Sequence, residues 1–158
     1  MSNILIRKAN RNDAKLILEL ITELAIYEKL ENEVVASVSD IENEIFGNES
    51  AVVHIAEYDN IPVGYSLHFY TFSTFLAKRG IYLEDLFVLE QFRGKGIGKS
   101  LLKNIANEAF TNGYGRVEWS VLDWNKPAID FYDSIGALPQ SEWTMFRLTG
   151  KKLFDFAK

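Results

Sequence analysis

The sequence contains no cysteine among its 158 residues. That absence excludes disulfides, thiolate metal sites and a cysteine nucleophile together, and with them the usual make-up of a small secreted scaffold. No apolar run approaches the ~18 residues that a membrane span requires, and the stretch MSNILIRKAN is too poor in apolar residues to form a secretory core. A cytoplasmic location without a membrane partner is expected. Basic charge is also in the minority. Seventeen Lys and Arg stand against 22 Asp and Glu, a net charge of −5 that argues against nucleic acid as a partner and suits a small cation. What the chain does have is 47% hydrophobic residues, 13% of the total being aromatic, which is enough for one sizeable core. With no repeat, linker or low-complexity segment, residues 1–158 are expected to form a single domain.

Local patterning supplies the elements. Ile4 and Ile6 alternate with polar neighbours and predict a first strand, ended by the polar cluster Asn10 to Asp13. Ala14, Ile17, Leu18, Ile21, Leu24 and Ala25 recur at three and four, which predicts a helix to about Tyr27 or Glu28, capped by Asn12 or Asp13. Glu28, Glu31 and Glu33 make an acidic patch at its exit, readable either as a binding feature or as a solvated turn. Ser39 with Glu42 predicts a capped second helix through Ile45 and Phe46, stopped by Gly47. The period then changes to two. Val52, Val53, Ile55 and Ala56 predict a strand, Asp59-Asn60 a turn, and Val63 to Phe72 the second arm of a hairpin, with Gly64 marking a bulge. Tyr65, Phe69, Tyr70, Phe72 and Phe75 read as core and sheet-face residues. His54 and His68 read as isolated sheet residues, and no metal is expected. Further on, Arg116 to Leu122 predicts a strand, Pro127 opens a helix from Ala128 to Ser134 that Gly136 stops, and Trp143 to Leu148 predicts a last strand before a tail with Leu153, Phe154 and Phe156.

The stretch Ile81 to Leu102, IYLEDLFVLEQFRGKGIGKSLL, carries the chemistry. Its apolar residues predict a buried strand, yet Glu84 and Asp85 interrupt it where a strand core should hold no charge. Arg93-Gly94-Lys95-Gly96-Ile97-Gly98 then allows a tight turn, because glycine tolerates positive φ and leaves room for a ligand. Ile97, Leu101, Leu102, Ile105, Ala106, Ala109 and Phe110 follow at helical spacing, so these amides lie at a helix N-terminus, which favours an anion. A dinucleotide fingerprint does not fit, since Lys99 stands where its third glycine belongs, and a Walker A loop fails because Arg93 occupies the position of its first glycine. A glycine-rich turn without a ligand remains the plain alternative.

Gln91-Phe92-Arg93-Gly94-Lys95-Gly96 does match the Q/R-x-x-G-x-G/A signature of the GNAT superfamily of N-acetyltransferases, and the order of the predicted elements resembles the GNAT fold over essentially the whole chain. The resemblance implies an α/β (α+β) architecture: a mixed, mostly antiparallel sheet, splayed after the fourth strand, with helices on both faces. It implies acetyl-CoA as co-substrate, its pyrophosphate on the loop Arg93, Gly94, Lys95, Gly96, Ile97, Gly98 and Lys99, and its pantetheine pairing along Leu86, Phe87 and Val88. WNKPAIDFY at 124–132 resembles the second family signature. It implies cofactor contacts at Asn125, Lys126, Ala128 and Tyr132, with Tyr132 near the sulfur as general acid. LAIYEKLE at 24–31 and YLEDLFV at 82–88 are similar to the diamine acetyltransferases, the spermidine/spermine type and its thialysine-acetylating relatives. That similarity implies Tyr27, Glu28 and Glu84 as substrate-facing residues and a homodimer as the assembly. The segments Phe75 to Gly80 and Leu138 to Trp143 depart from the polyamine enzymes, which puts the identity of the amine in question.

The chemistry agrees with these residues. An ammonium must lose a proton before its nitrogen attacks a thioester, and Glu84 fits the acceptor, directly or through water. Glu28, Glu84 and Glu118 supply the carboxylates a cationic amine needs, although an amine held among acids resists deprotonation. With no cysteine to take the acetyl group first, direct transfer in a ternary complex is expected. Acetylation of protein lysines or N-termini, and non-catalytic acyl-CoA binding, are the competing readings.

Overall fold

A computed structural model describes residues 3–158. The chain divides into two compact units, one ending at Ser120 and the other beginning at Val121. The first holds a five-stranded sheet in the order β1 (Ile4–Lys8), β2 (Val52–Tyr58), β3 (Ile61–Ser73), β4 (Lys78–Val88) and β5 (Val117–Trp119). Neighbours pair antiparallel except β4 and β5, which run parallel. Helix α1 (Ala14–Tyr27) buries Ala14, Ile17 and Leu20 against Val53, Ile55, Tyr65 and Phe87. Helix α3 (Ile97–Thr111) packs Ile97 and Leu101 with Ala56, Val63 and Val88 in a separate cluster. Each fully buried Ile or Leu of these clusters contributes about 1.5–3 kcal/mol of transfer free energy. The mixed sheet with helices on its faces is the expected architecture.

Capping differs from the expectation in detail. Asn10, with extended backbone, accepts from the Asn12 amide and forms a capping box with Asp13, so a single turn at Arg11–Asp13 leads into α1. Asp13 also takes a bidentate ion pair from Arg7, which holds its carboxyl below the usual range, and the Arg7 Nε reaches Glu57 on β2 at 2.7 Å. The second helix, α2 (Val38–Ile41), is capped by Ser37 and Asp40, not Ser39 and Glu42. Ser37 has the extended backbone that an N-cap requires, whereas Ser39 already lies in the helix. The helix then widens into a π-helical turn, Glu42–Gly47.

The hairpin turn is as expected, with Asp59 and Asn60 both at positive φ, 50° and 66°. The bulge falls beside Gly64: Ala56 faces Gly64 while Glu57 faces Pro62, so Val63 is the inserted residue. Gly64 itself is required by the neighbouring strand. A Cβ built there would stand 2.5 Å from the Phe87 carbonyl oxygen and 3.2 Å from the Val88 Cα. Gly64→Ala should therefore lower stability by about 2–3 kcal/mol as the sheet shifts to relieve the overlap. A fall in the urea midpoint at unchanged slope is the expected readout, and an unmoved midpoint would show that β3 and β4 can separate there freely.

The unit from Val121 contains α4 (Lys126–Ser134) and α5 (Gly150–Phe156). The strand expected at Trp143 to Leu148 is not formed, because a strand exists through a partner's ladder bonds and among the described residues no pairing includes this segment. The tail expected after it is helical, with Leu153, Phe154 and Phe156 exposed.

Candidate functional site

The end of α1 is fixed by backbone bonds. The Lys29 amide donates to Ile26 O and the Leu30 amide to Ala25 O, with Lys29 at φ 60°, the Schellman arrangement that stops a helix. Tyr27 and Glu28 are thus held at a defined terminus, with the Tyr27 ring 6.3 Å from that of Phe87 on β4. The Arg93 guanidinium lies 4.3 Å over the Tyr27 ring, and its Nε donates to Val88 O at 2.9 Å.

Strand β4 carries the acids. Leu67 faces Asp85 while His68 faces Leu83, so Glu84 is the inserted residue of a bulge, exposed and outside the regular ladder. Bulges re-aim side chains and end pairing, and this one does both. The parallel pairing stops at Leu83 with Trp119, which is why β5 is only three residues long where Arg116 to Leu122 was expected. Among the described residues, β4 from Glu84 to Val88 has β3 on one edge and no strand on the other.

Asp85 points toward the α1 side, where the fully buried Tyr65 donates its hydroxyl to Asp85 Oδ2 at 2.8 Å. Burial pushes the Asp85 carboxyl above the usual range, and the Tyr65 bond works against that shift. Glu28 is also raised, first by burial and then by the Asp85 charge, which places the two carboxyls within electrostatic reach. Asp85 and Tyr65 are the residues that sequence reasoning did not nominate. An acid in an apolar strand was the available signal; the tyrosine partner, 20 positions away, is set by the register of β3 on β4.

After β4 the chain turns into α3. Gly94 and Gly96 have φ of 75° and 82°, and a Cβ at either would meet no atom within 4 Å beyond the adjoining residues. Their glycine requirement is therefore conformational, and the space above them is open. Gly96 is the N-cap of α3 and supplies no side-chain cap, so among the described residues the first-turn amides from Ile97 to Lys99 receive no capping side chain. The Arg93 amide, by contrast, is already engaged by Glu90 O at 3.1 Å. Lys95 Nζ lies 5.4 Å from the Tyr58 ring, and Lys99 is exposed.

Glu118 on β5 is paired with Arg116 Nε at 2.9 Å. In the second unit, the Asn125 side chain accepts from the Ala128 amide and caps α4, with Pro127 in its first turn. Lys126 reaches Asp130 one turn on at 2.7 Å. Tyr132 is half-buried beside Phe131, ring centroids 5.8 Å apart. The histidines are not isolated: His54 and His68 stack at 5.8 Å, and His68 Nε2 lies 3.3 Å from Glu108 Oε2 on α3. Burial lowers both imidazoles, and among the described residues no cluster of three or more His, Asp or Glu side chains is arranged to hold a metal.

Residues 17–137 match the pattern described as the acetyltransferase (GNAT) family. Thialysine N-epsilon-acetyltransferase of Bos taurus is 38% identical over an alignment of 170 positions, gaps included, with 99% of each chain covered. L-ornithine N5-acetyltransferase of Arabidopsis thaliana is 48% identical over 95 residues, 60% of this chain and 42% of that protein. Among solved structures, the integron cassette protein VCH_CASS6 from the mobile metagenome of V. cholerae superposes with a TM-score of 0.83 at 28% identity over 98% of both chains. The chain belongs to the GNAT family of acetyltransferases, and it is an N-acetyltransferase.

Proposed function

We propose that the protein transfers an acetyl group from acetyl-CoA to a primary amine of a small cationic substrate, a diamine, a polyamine or a thialysine-like amino acid, by direct transfer in a ternary complex. The observation that carries this reading is the group Glu28, Glu84 and Asp85, gathered where the parallel ladder of β4 ends. Three carboxyls within electrostatic reach of one another attract an ammonium, and burial raises two of them, Glu28 and Asp85, above the ordinary range, a shift that a bound cation would offset.

The residues present fit acetyl-CoA. The open glycine turn and the uncapped first turn of α3 supply amide donors for a pyrophosphate, with Lys95 and Lys99 adding charge. The edge of Leu86, Phe87 and Val88, with which no described strand pairs on the side away from β3, offers backbone groups to an extended pantetheine, the Val88 carbonyl being already taken by the Arg93 Nε. When bound, acetyl-CoA supplies the activated thioester. Glu84, exposed at the bulge, takes the substrate's proton directly or through water, while Glu28 and Asp85 hold its cationic groups. Tyr132 protonates the departing thiolate, a role that the resemblance of residues 124–132 to the family's second signature supports.

A thiol-release assay over spermidine, putrescine, thialysine, ornithine, lysine, a lysine peptide and a neutral amine tests this reading. Turnover on a small cationic amine at least about tenfold above the peptide and the neutral amine is expected, since a charge-assisted contact contributes about 1.5–3 kcal/mol. Preference for the peptide would replace this reading with a protein acetyltransferase, and no release with any amine would leave acyl-CoA binding alone.

A further inference from the structure

We propose that Tyr65 is a positioning residue for amine acetylation: its buried hydroxyl holds the Asp85 carboxylate as an acceptor for the substrate's ammonium. The inference rests on the substrate reading above and adds to it a residue that never touches the amine. Tyr65 is fully buried, and its ring lies in the core cluster with Ile17, Val53, Ile55 and Phe87. Packing of that kind fixes the ring, so the phenol oxygen has one position, 2.8 Å from Asp85 Oδ2.

The direction of the bond follows from ionisation. Burial and the neighbouring carboxylates push the Tyr65 phenol far above its ordinary range, so it stays protonated and donates. The charged and titratable groups around Asp85 come from three elements: Tyr65 on β3 and Glu84 beside it on β4 act on its carboxyl, and Asp85 in turn raises Glu28 at the end of α1. Burial and Glu84 both oppose its charge, while the Tyr65 hydroxyl favours it. Arg93, the cation at this end of β4, is turned to Val88 O and the Tyr27 ring. Without the phenol, a carboxyl so placed would hold its proton to higher pH and would offer a cation a neutral acid in place of a carboxylate. A phenylalanine would fill the same core space, so the hydroxyl is the part that packing does not explain.

Tyr65→Phe, Asp85→Asn and the double variant test this, with the amine that ranks first in the panel above. In Tyr65→Phe the KM for the amine should rise about tenfold at neutral pH, the loss of one hydrogen bond to a charged group, while the KM for acetyl-CoA stays within about twofold. The acid limb of kcat/KM for the amine should move to higher pH. In the Asp85→Asn background, Tyr65→Phe should change the amine KM by less than about twofold, because it acts through a carboxylate no longer there. Carboxyl carbon NMR of aspartate-labelled protein gives a readout without turnover: the resonance absent in Asp85→Asn should titrate at higher pH in Tyr65→Phe than in the parent. An unmoved carboxyl titration, equal losses for both substrates, or additive losses in the double variant would overturn the proposal. A parent enzyme that acetylates no amine would overturn the substrate reading instead, and the NMR titration would still decide the Tyr65–Asp85 link.

Discussion

Replacing Tyr132 with phenylalanine should lower turnover by about 10²-fold or more while leaving the fold and the affinity for acetyl-CoA intact, the scale expected when a general acid is lost. The substitution is conservative where α4 is concerned. The ring that stands 5.8 Å from Phe131 is kept, and the bonds accepted by the Tyr132 carbonyl from Ile135 and Ala137 involve only backbone. What disappears is one phenolic oxygen. Since a departing thiolate must collect a proton, the loss should fall on kcat and kcat/KM together, with the KM values little changed. Pre-steady-state mixing must show that chemistry limits the rate in the variant. Turnover within a few-fold of the parent under that condition would remove Tyr132 from the mechanism and leave solvent as the proton source.

The second large effect concerns Gly96. A valine there must adopt φ near 82°, a conformation that costs an L-residue about 1–2 kcal/mol and a β-branched one more. Beyond the two adjoining residues no protein atom lies within 4 Å of the added Cβ, so the side chain projects into the open space above the turn. In the parent protein, acetyl-CoA at about 100 times its Kd should add about 2.7 kcal/mol of stability by mass action. Gly96→Val should melt as a cooperative fold at a lower temperature and show no further rise with acetyl-CoA. A variant that is stabilised as much as the parent would move the pyrophosphate away from this turn.

Much of this arrangement was legible in the sequence, for identifiable reasons. The period of α1, the alternation in β2 and β3, the Asp59-Asn60 turn and the glycine spacing before α3 are local signals, each decided within a few residues. The Q-x-x-G-x-G segment then limited the possible folds sharply. The features that escaped depend on register. That Glu84 sits on a bulge while Asp85 turns inward follows from where β3 pairs with β4, which no local pattern encodes. The Tyr65–Asp85 bond and the His54–His68 stack are made the same way. Ser37 was overlooked as a cap because Ser39 and Glu42 satisfy the same pattern two positions later, and backbone conformation alone separates them. The segment 143–148 shows the opposite failure, apolar residues at strand spacing without a partner strand.

The early end of the parallel ladder has a consequence for handling the protein as well as for catalysis. Among the described residues no strand pairs with Glu84 to Val88 on the side away from β3, although the Arg93 Nε takes the Val88 carbonyl, and Leu86, Phe87 and Val88 make this edge an apolar one. Such an edge is a template for strands from other chains, and natural proteins blunt it with charge, proline or a covering element. Here the charge of Glu84 and the kink of its bulge stand at one end and the Arg93 guanidinium on the Val88 carbonyl at the other, with the apolar residues between them. An extended ligand lying along those residues would then serve the protein as a removable guard strand, so that solubility and substrate occupancy depend on the same few backbone groups.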